Sequence, residues 1–425
     1  MPGPRAMEHV EFDHRYTSPS LPRAYPIVPV RGDGTAVEDI DGNLLLDFTA
    51  GIAVSATGYG HPRITAAIEK QARELIHFSA SDFYLPAYAQ LAAELDRIAP
   101  IDGPTRSFIG NSGTEAVEAA IKLARFATRR QYLVAFVGGF HGRSYGSVSL
   151  TASKSKYHAG FGPLLPGVLH VPFGSAGLDE LEQRVFKRLI PANEVAAIVV
   201  EPIQGEGGYI VPDADFLPRL RRICDEHGIL LIADEIQSGA GRTGRMWAIQ
   251  HWGVQPDIVC VAKGIASGMP LGAMIARAEL MTWSAGHHGS TFGGNAVSCA
   301  AALETIALLE EGLVANAGER GEQAMNALRP LITQHGALVR DVRGKGLMLG
   351  VQFDSGDTAE AVQWACFEKG LLVLEAGDDV VRMSPPLTVT AEEVDTCVRL
   401  FSEAVADVAR DGGAILERAR SWSQR

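Results

Sequence analysis

Four short apolar runs constrain this chain more than any other feature: "YLVAFVGG" from Tyr132, "VAAIVVEP" from Val195, "GILLIADE" from Gly228 and "DIVCVAKG" from Asp257. Each is rich in Val and Ile, lies between segments of helical period, and ends on polar residues. The runs are too short for helices and lack the alternation of a half-exposed strand, so each reads as a strand buried on both faces. Strands of that kind interleaved with helices specify an α/β architecture, a mostly parallel central sheet with helices on both faces. Ligands of such sheets bind beyond the C-terminal strand ends, so Glu201, Asp234 and Lys263 are expected to converge on one rim.

The flanks differ from this middle. Residues 1–61 are rich in Pro and Gly, with a hairpin turn expected at Asp41-Gly42, and read as a β-rich N-terminal segment of a smaller domain. Residues 62–324 carry the strand and helix alternation and form the expected large domain. Residues 325–425 read as strand, strand and a closing helix from Ala391 to about Val408, an α+β small domain ending in a frayed tail. A length of 425 residues suits two or three such units.

Charge and composition exclude several classes. A net charge of -12 opposes nucleic-acid binding, which needs a basic face. No apolar run approaches a membrane span, and "MPGPRAMEHVEFDHRYTSPS" has no signal-peptide core, so no membrane partner and a cytoplasmic location are expected. The five cysteines show no C-x-x-C spacing and point to neither a disulfide framework nor a metal site.

The stretch "LLIADEIQSGAGRTG" contains G-x-G-x-x-G at Gly239, Gly241 and Gly244. A dinucleotide site needs an acidic residue about 20 residues further on, and Gly264 stands there instead. The pattern therefore does not specify a nicotinamide enzyme.

A better anion site lies in "GNSGTEAVEAAIKLARFATRR". Ser112 and Glu115 have capping-box spacing, Ala116, Val117, Ala120, Ile121 and Ala124 form an apolar helical face, and Gly113 lets the backbone N–H groups and the Thr114 hydroxyl approach an anion at the helix N-terminus. An ordinary capped helix would look the same. What adds meaning is Lys263 at a strand end, where burial can turn its amine into a nucleophile, and Asp234 one strand-helix-strand step earlier. A lysine, a carboxylate and a phosphate site are the parts that pyridoxal phosphate requires. Glu235 points to the other face of its strand and is expected to make a structural hydrogen bond or ion pair.

The chain resembles the class III pyridoxal-phosphate aminotransferases of fold type I. The resemblance runs in order through "LDFTAGIAVSATGYGHP", "NSGTEAVEAAIKLAR", "FHGRSYG", "EPIQGEGG", "ADEIQSGAGRTG", "AKGIASGMPLGA", "STFGGN" and "VRMSPPLT". It implies that Ser112, Gly113 and Thr114 hold the cofactor phosphate, that Phe140 stacks on the ring and that Ile236 packs on its other side. Asp234 would pair with the ring nitrogen, Gln237 would reach the ring hydroxyl, and Lys263 would carry the cofactor as a Schiff base and act as the catalytic acid and base. Thr291 would reach the phosphate of a second copy, implying a homodimer with shared active sites. His141 is open between packing and chemistry.

For substrates the resemblance implies that Arg143 takes the remote carboxylate, that Arg382 takes the α-carboxylate of glutamate, and that Glu206 neutralises Arg382 when the donor amine lies at the chain end. Burying an unpaired guanidinium is costly, which gives that exchange its physical sense. Ile52 stands where ornithine aminotransferases carry Tyr, and Ser290 with Arg143 would serve an acetylornithine aminotransferase. The expected reaction moves an amino group from an ω-amino donor, 4-aminobutyrate first, to 2-oxoglutarate. Acetylornithine aminotransferase is the alternative, as is an amino-acid racemase or epimerase of the same family.

Overall fold

A computed structural model describes residues 2–423. The four apolar runs form the strands Tyr132–Phe136, Val195–Val200, Leu230–Asp234 and Ile258–Val261. They belong to a seven-stranded sheet ordered Thr105–Gly110, Gly272–Arg277, Ile258–Val261, Leu230–Asp234, Val195–Val200, Tyr132–Phe136, Val168–Val171. Gly272–Arg277 runs antiparallel to both neighbours, and the other pairings are parallel.

Alternate residues of each strand bury on opposite faces. Leu133, Ala135, Val199, Ile232 and Cys260 pack against the helix Gly113–Thr128, whose expected apolar face is buried in full. Val134, Phe136, Ile198, Val200, Leu231, Val259 and Val261 enter the larger core with Leu217, Leu220 and Ile223 of the helix Phe216–His227. Each such side chain, fully buried, contributes about 1.5–3 kcal/mol, so the frame that presents the strand ends is rigid. All five cysteines are buried in it or in the C-terminal packing.

The first sixty residues depart from expectation, because they open with the helix Pro4–Tyr16. Only Ala6 of that helix is buried, so no apolar stripe announces it. Pro4 near its start and the Asp41 carboxylate, which accepts the Arg5 and Ala6 N–H groups, initiate it. The strands Pro29–Asp33, Ala36–Asp39 and Leu44–Asp47 follow, and Gly42, with φ +86°, makes the expected turn. Leu371–Leu372 joins Leu46 and Asp47 in parallel, so chain from both termini builds one small sheet.

Towards the C-terminus, Val339–Lys345, Met348–Phe353, Val380–Met383 and Leu374–Ala376 form an antiparallel sheet in that order. The closing helix also exceeds expectation, running from Ala391 to Ser423 with one non-helical residue at Asp411. Ile415 and Ala419 are buried beyond that break, and Arg418 pairs with Glu368 of the helix Gly356–Glu368. Tertiary packing thus carries the helix past a stretch of weak local pattern. Among the described residues no helix is long and apolar enough to cross a membrane.

Candidate active site

The strand ends converge as the sheet topology requires. Glu201, Asp234 and Lys263 line one cavity of about 310 Å³, together with Ser112, Gly113, Thr114, Phe140, Glu206, Ile236 and Gln237.

At the helix end of the cavity, Ser112 is the N-cap of Gly113–Thr128 and its Oγ accepts the Glu115 N–H. Glu115 reaches back to Asn111, accepting its N–H at 2.6 Å and its Nδ2 at 3.0 Å, so the reciprocal bond closes one residue earlier than spacing suggests. The first-turn N–H groups of Gly113 and Thr114 have no intrahelical acceptor and remain available to an anion. The Thr114 hydroxyl is committed elsewhere, 2.6 Å from both Ser144 Oγ and Ser147 Oγ. Thr114 therefore offers its main chain rather than its hydroxyl. Gly113 and Gly272 let backbones approach: a Cβ on Gly113 would lie 2.8 Å from Ile236 Cδ1, and one on Gly272 would lie 2.1 Å from the Ser112 carbonyl oxygen.

At the other end, Asp234 is buried with His141 Nδ1 2.7 Å from its Oδ2, and the Ile236 N–H donates to its Oδ1. Burial alone would lower the His141 pKa, but the hydrogen bond and charge of Asp234, with Glu201 nearby, outweigh it and raise the value. Glu201 accepts the Phe140 and Gly205 N–H groups at 2.9 Å, and burial pushes its carboxyl up to about 7 against the pull of His141. Glu235 is structural as expected: buried on the far face, it accepts the Ala248 and Ile249 N–H groups and the Ser238 hydroxyl.

Lys263 opens a short turn with φ +49°, a left-handed conformation that costs a residue with a side chain about 1–3 kcal/mol. Burial lowers its amine to about 8; Glu206 opposes that shift and Arg382 reinforces it. Near neutral pH a useful fraction of the amine is thus unprotonated and nucleophilic.

Arg382 Nη1 lies 2.5 Å from Glu206 Oε1. Burial would raise the Glu206 carboxyl, yet the guanidinium holds it below its usual range. Arg143 does not line the cavity; it is exposed, with its guanidinium 5.6 Å from the Phe140 ring and 5.3 Å from the Tyr157 ring. Ile52 is exposed at φ +68°, and Thr291 is exposed as well. Ser290 stands behind the cavity wall, its Oγ receiving Asn111 Nδ2 at 3.3 Å and the Gly293 N–H at 3.0 Å. Asn111 lines the cavity without any local signal in the sequence, and nothing local tells which carboxylate a buried imidazole such as His141 will meet.

A sheet of this order with a lysine, a carboxylate and a helix N-terminus at its C-terminal rim defines a fold type I pyridoxal-phosphate enzyme. The family model for class-III aminotransferases matches residues 18–405, and the chain belongs to that family. It is 36% identical to an alanine/serine racemase of Pyrococcus horikoshii over 99% of this chain and 94% of that protein. It is 41% identical to an acetylornithine aminotransferase of Methanothermobacter thermautotrophicus over 94% of this chain and 99% of that one. The crystal structure of ornithine aminotransferase from Toxoplasma gondii superposes with a TM-score of 0.89 at 31% identity, covering 96% of each chain.

The enzyme is a pyridoxal-phosphate-dependent aminotransferase. The residues present fit the cofactor. Gln237 Oε1 is buried in the cavity wall with no hydrogen-bond partner among the described residues, the first-turn N–H groups are unpaired in their helix, and Phe140 and Ile236 both line the cavity.

Proposed function

We propose that the enzyme transfers the distal amino group of an amino acid to 2-oxoglutarate, with N-acetylornithine the preferred donor. The observation that carries this reading is the closed Arg382–Glu206 pair beside Lys263. A donor whose reacting amine lies far from its carboxylate presents no charge near Arg382, so an internal carboxylate must neutralise that buried guanidinium. Glutamate brings its own α-carboxylate, which replaces Glu206 on Arg382. The 4-aminobutyrate preference gives way to acetylornithine, since acetylornithine and ornithine aminotransferases weigh most among the relatives and solved structures. Ile52, in place of the Tyr of ornithine aminotransferases, supports the acetylated donor over free ornithine.

When bound, pyridoxal phosphate supplies an electron-accepting pyridinium ring conjugated to the carbon that carries the amino group. The Gly113 and Thr114 N–H groups and Ser112 would hold its phosphate, Phe140 and Ile236 would flank its ring, and Gln237 would meet the ring hydroxyl. Asp234, held in place by His141, would hold the proton on the ring nitrogen. Lys263 would bind the cofactor, then take the proton from the substrate carbon and return it. Arg143, outside the cavity wall, would turn from its aromatic stack to meet the donor's remote carboxylate. Thr291 would serve the site of a second copy in a homodimer, Ser290 would join Arg143 in contacting the donor, and the exposed Tyr84 and Phe292 suit such a dimer contact. Residues 1–61 and 325–425 would form one small domain against 62–324, as the shared small sheet supports.

The test is glutamate formation by the holoenzyme from 2-oxoglutarate with N-acetylornithine, ornithine or 4-aminobutyrate. N-acetylornithine should give the highest kcat/KM, and faster turnover of 4-aminobutyrate would overturn the donor assignment. A second reading, racemisation of a small α-amino acid, draws support from the racemase relative. Deuterium entry at Cα of alanine in heavy water, with no glutamate formed from 2-oxoglutarate, would favour it.

A further inference from the structure

Glu206 belongs to a loop whose backbone is gripped from outside the cavity. Gln204 and Ile210 pair with each other across the loop's base, N–H to carbonyl in both directions at 3.1 and 3.2 Å. The Gly377 N–H donates to the Glu206 carbonyl at 2.7 Å. Arg343, on the strand Val339–Lys345, donates to the Gly208 carbonyl from both Nε at 3.0 Å and Nη2 at 2.8 Å. Its Nη1 is tied to Gln352 Oε1 at 2.7 Å and Asp341 Oδ2 at 3.0 Å, and Gln352 in turn donates to Asp379. The fork cannot swing away without breaking these bonds.

Sheet register makes the arrangement specific. Arg343 pairs with Gly350, and Gly350 pairs with Arg382, so the two arginines stand in one row on one face of the sheet. Gly350, between them, leaves room for Tyr209; a Cβ there would lie 3.2 Å from Tyr209 Cβ. Tyr209 is buried, its ring lies 5.9 Å from the Arg382 guanidinium carbon, and its backbone adopts φ +52°, beside Gly208 at φ +113°. A bulky aromatic residue holds a left-handed conformation only where its surroundings enforce it. Here the enforcing groups are Arg343 on the Gly208 carbonyl and the packing of Tyr209 over Gly350.

We propose that Arg343 is a specificity-determining positioning residue: by clamping the Gly208 carbonyl in the same sheet row as Arg382, it holds Glu206 against Arg382 and sets how readily a substrate carboxylate displaces it. This inference rests on the distal-amine reading for its substrate arm. With the clamp removed, Tyr209 relaxes, Glu206 loses its fixed approach, and Arg382 becomes easier for an external carboxylate to capture.

The test compares wild-type holoenzyme with Arg343→Ala and Arg343→Lys. KM for N-acetylornithine should rise roughly tenfold in Arg343→Ala while kcat changes little, since a charge-assisted fork that preorganises the closed pair is lost. The dissociation constant of glutarate, an unreactive dicarboxylate measured by calorimetry, should fall several-fold. Arg343→Lys should lie between, because one ammonium cannot span both Gly208 and Gln352. Opposite movement of the two constants supports the clamp; weakening of both, or no change in either, overturns it. If Arg343→Ala does not fold, the lysine variant carries the same test. If the wild type turns over no distal-amine donor, the functional reading fails, and the glutarate arm alone decides: tighter binding supports the clamp, and equal or weaker binding overturns it.

Discussion

His141 Nδ1 lies 2.7 Å from Asp234 Oδ2 with both side chains buried, so the carboxylate that faces the cavity is backed by an imidazole whose pKa is raised by that contact against the effect of burial. With the raised imidazole donating from Nδ1, this contact is a charge-assisted hydrogen bond that fixes the Asp234 side chain at the cavity end. Replacing His141 by Ala should remove a charge-assisted bond of about 1.5–3 kcal/mol and lower kcat by roughly 10- to 100-fold. His141→Asn, able to donate from nearly the same place, should recover most of it. Steady-state kinetics of both variants, with cofactor content measured, checks this; equal losses in both would show that ring shape rather than the donated proton matters.

Lys263 should make cofactor capture pH-dependent. With its amine near 8, the rate at which apoprotein binds pyridoxal phosphate should climb about tenfold per pH unit below that value and level off above it. Glu206→Gln removes a charge that raises the amine's pKa, so its plateau should begin at lower pH. Stopped-flow absorbance gives both profiles, and a rate still climbing at pH 10 would contradict the assignment. Lys263→Ala should bind cofactor non-covalently and show no turnover.

Glu235 should reveal itself in stability. Burial raises its carboxyl to about 7, above its ordinary 4.5, so the stability it contributes is fully present below 4.5 and is lost as pH rises through 7. That loss is on the order of 3 kcal/mol. Glu235→Gln has no proton to lose, so its Tm relative to wild type should increase between pH 5 and pH 8. A constant offset across that range would mean that the group does not titrate there.

Two glycines at the helix N-terminus should respond differently to Ala. In Gly272→Ala the new Cβ meets the Ser112 carbonyl, which is backbone and cannot yield, so poor folding or a cost above about 3 kcal/mol is expected. In Gly113→Ala the Cβ meets no backbone but the branched Ile236 side chain, Cδ1 at 2.8 Å and Cγ2 at 3.0 Å, so the protein should fold but bind pyridoxal phosphate roughly tenfold more weakly as Ile236 is pushed into the ring's place. Thermal denaturation and fluorescence titration separate the two.

The parts of this protein that depend on neighbours along the chain are legible in its residues alone. Strands such as Val195–Val200 are unbroken runs of buried β-branched and small residues, the helix at Gly113 carries its cap and its apolar face within a dozen residues, and Asp234 and Lys263 stand at strand ends because topology places them there. The helix Pro4–Tyr16 and the extension to Ser423 are not legible in the sequence, since their stability comes from Asp41 and from the Gly356–Glu368 helix rather than from their own pattern. Only the tertiary structure decided that His141 backs Asp234 across 93 positions, that Thr114 turns its hydroxyl to Ser144 and Ser147, that Arg143 stacks outside the cavity, and that Arg343 and Arg382 share one sheet row over the Glu206 loop. Such contacts join elements far apart in the chain. A buried charge takes whichever partner packing brings within reach, and strand register, not spacing in sequence, decides which partner that is.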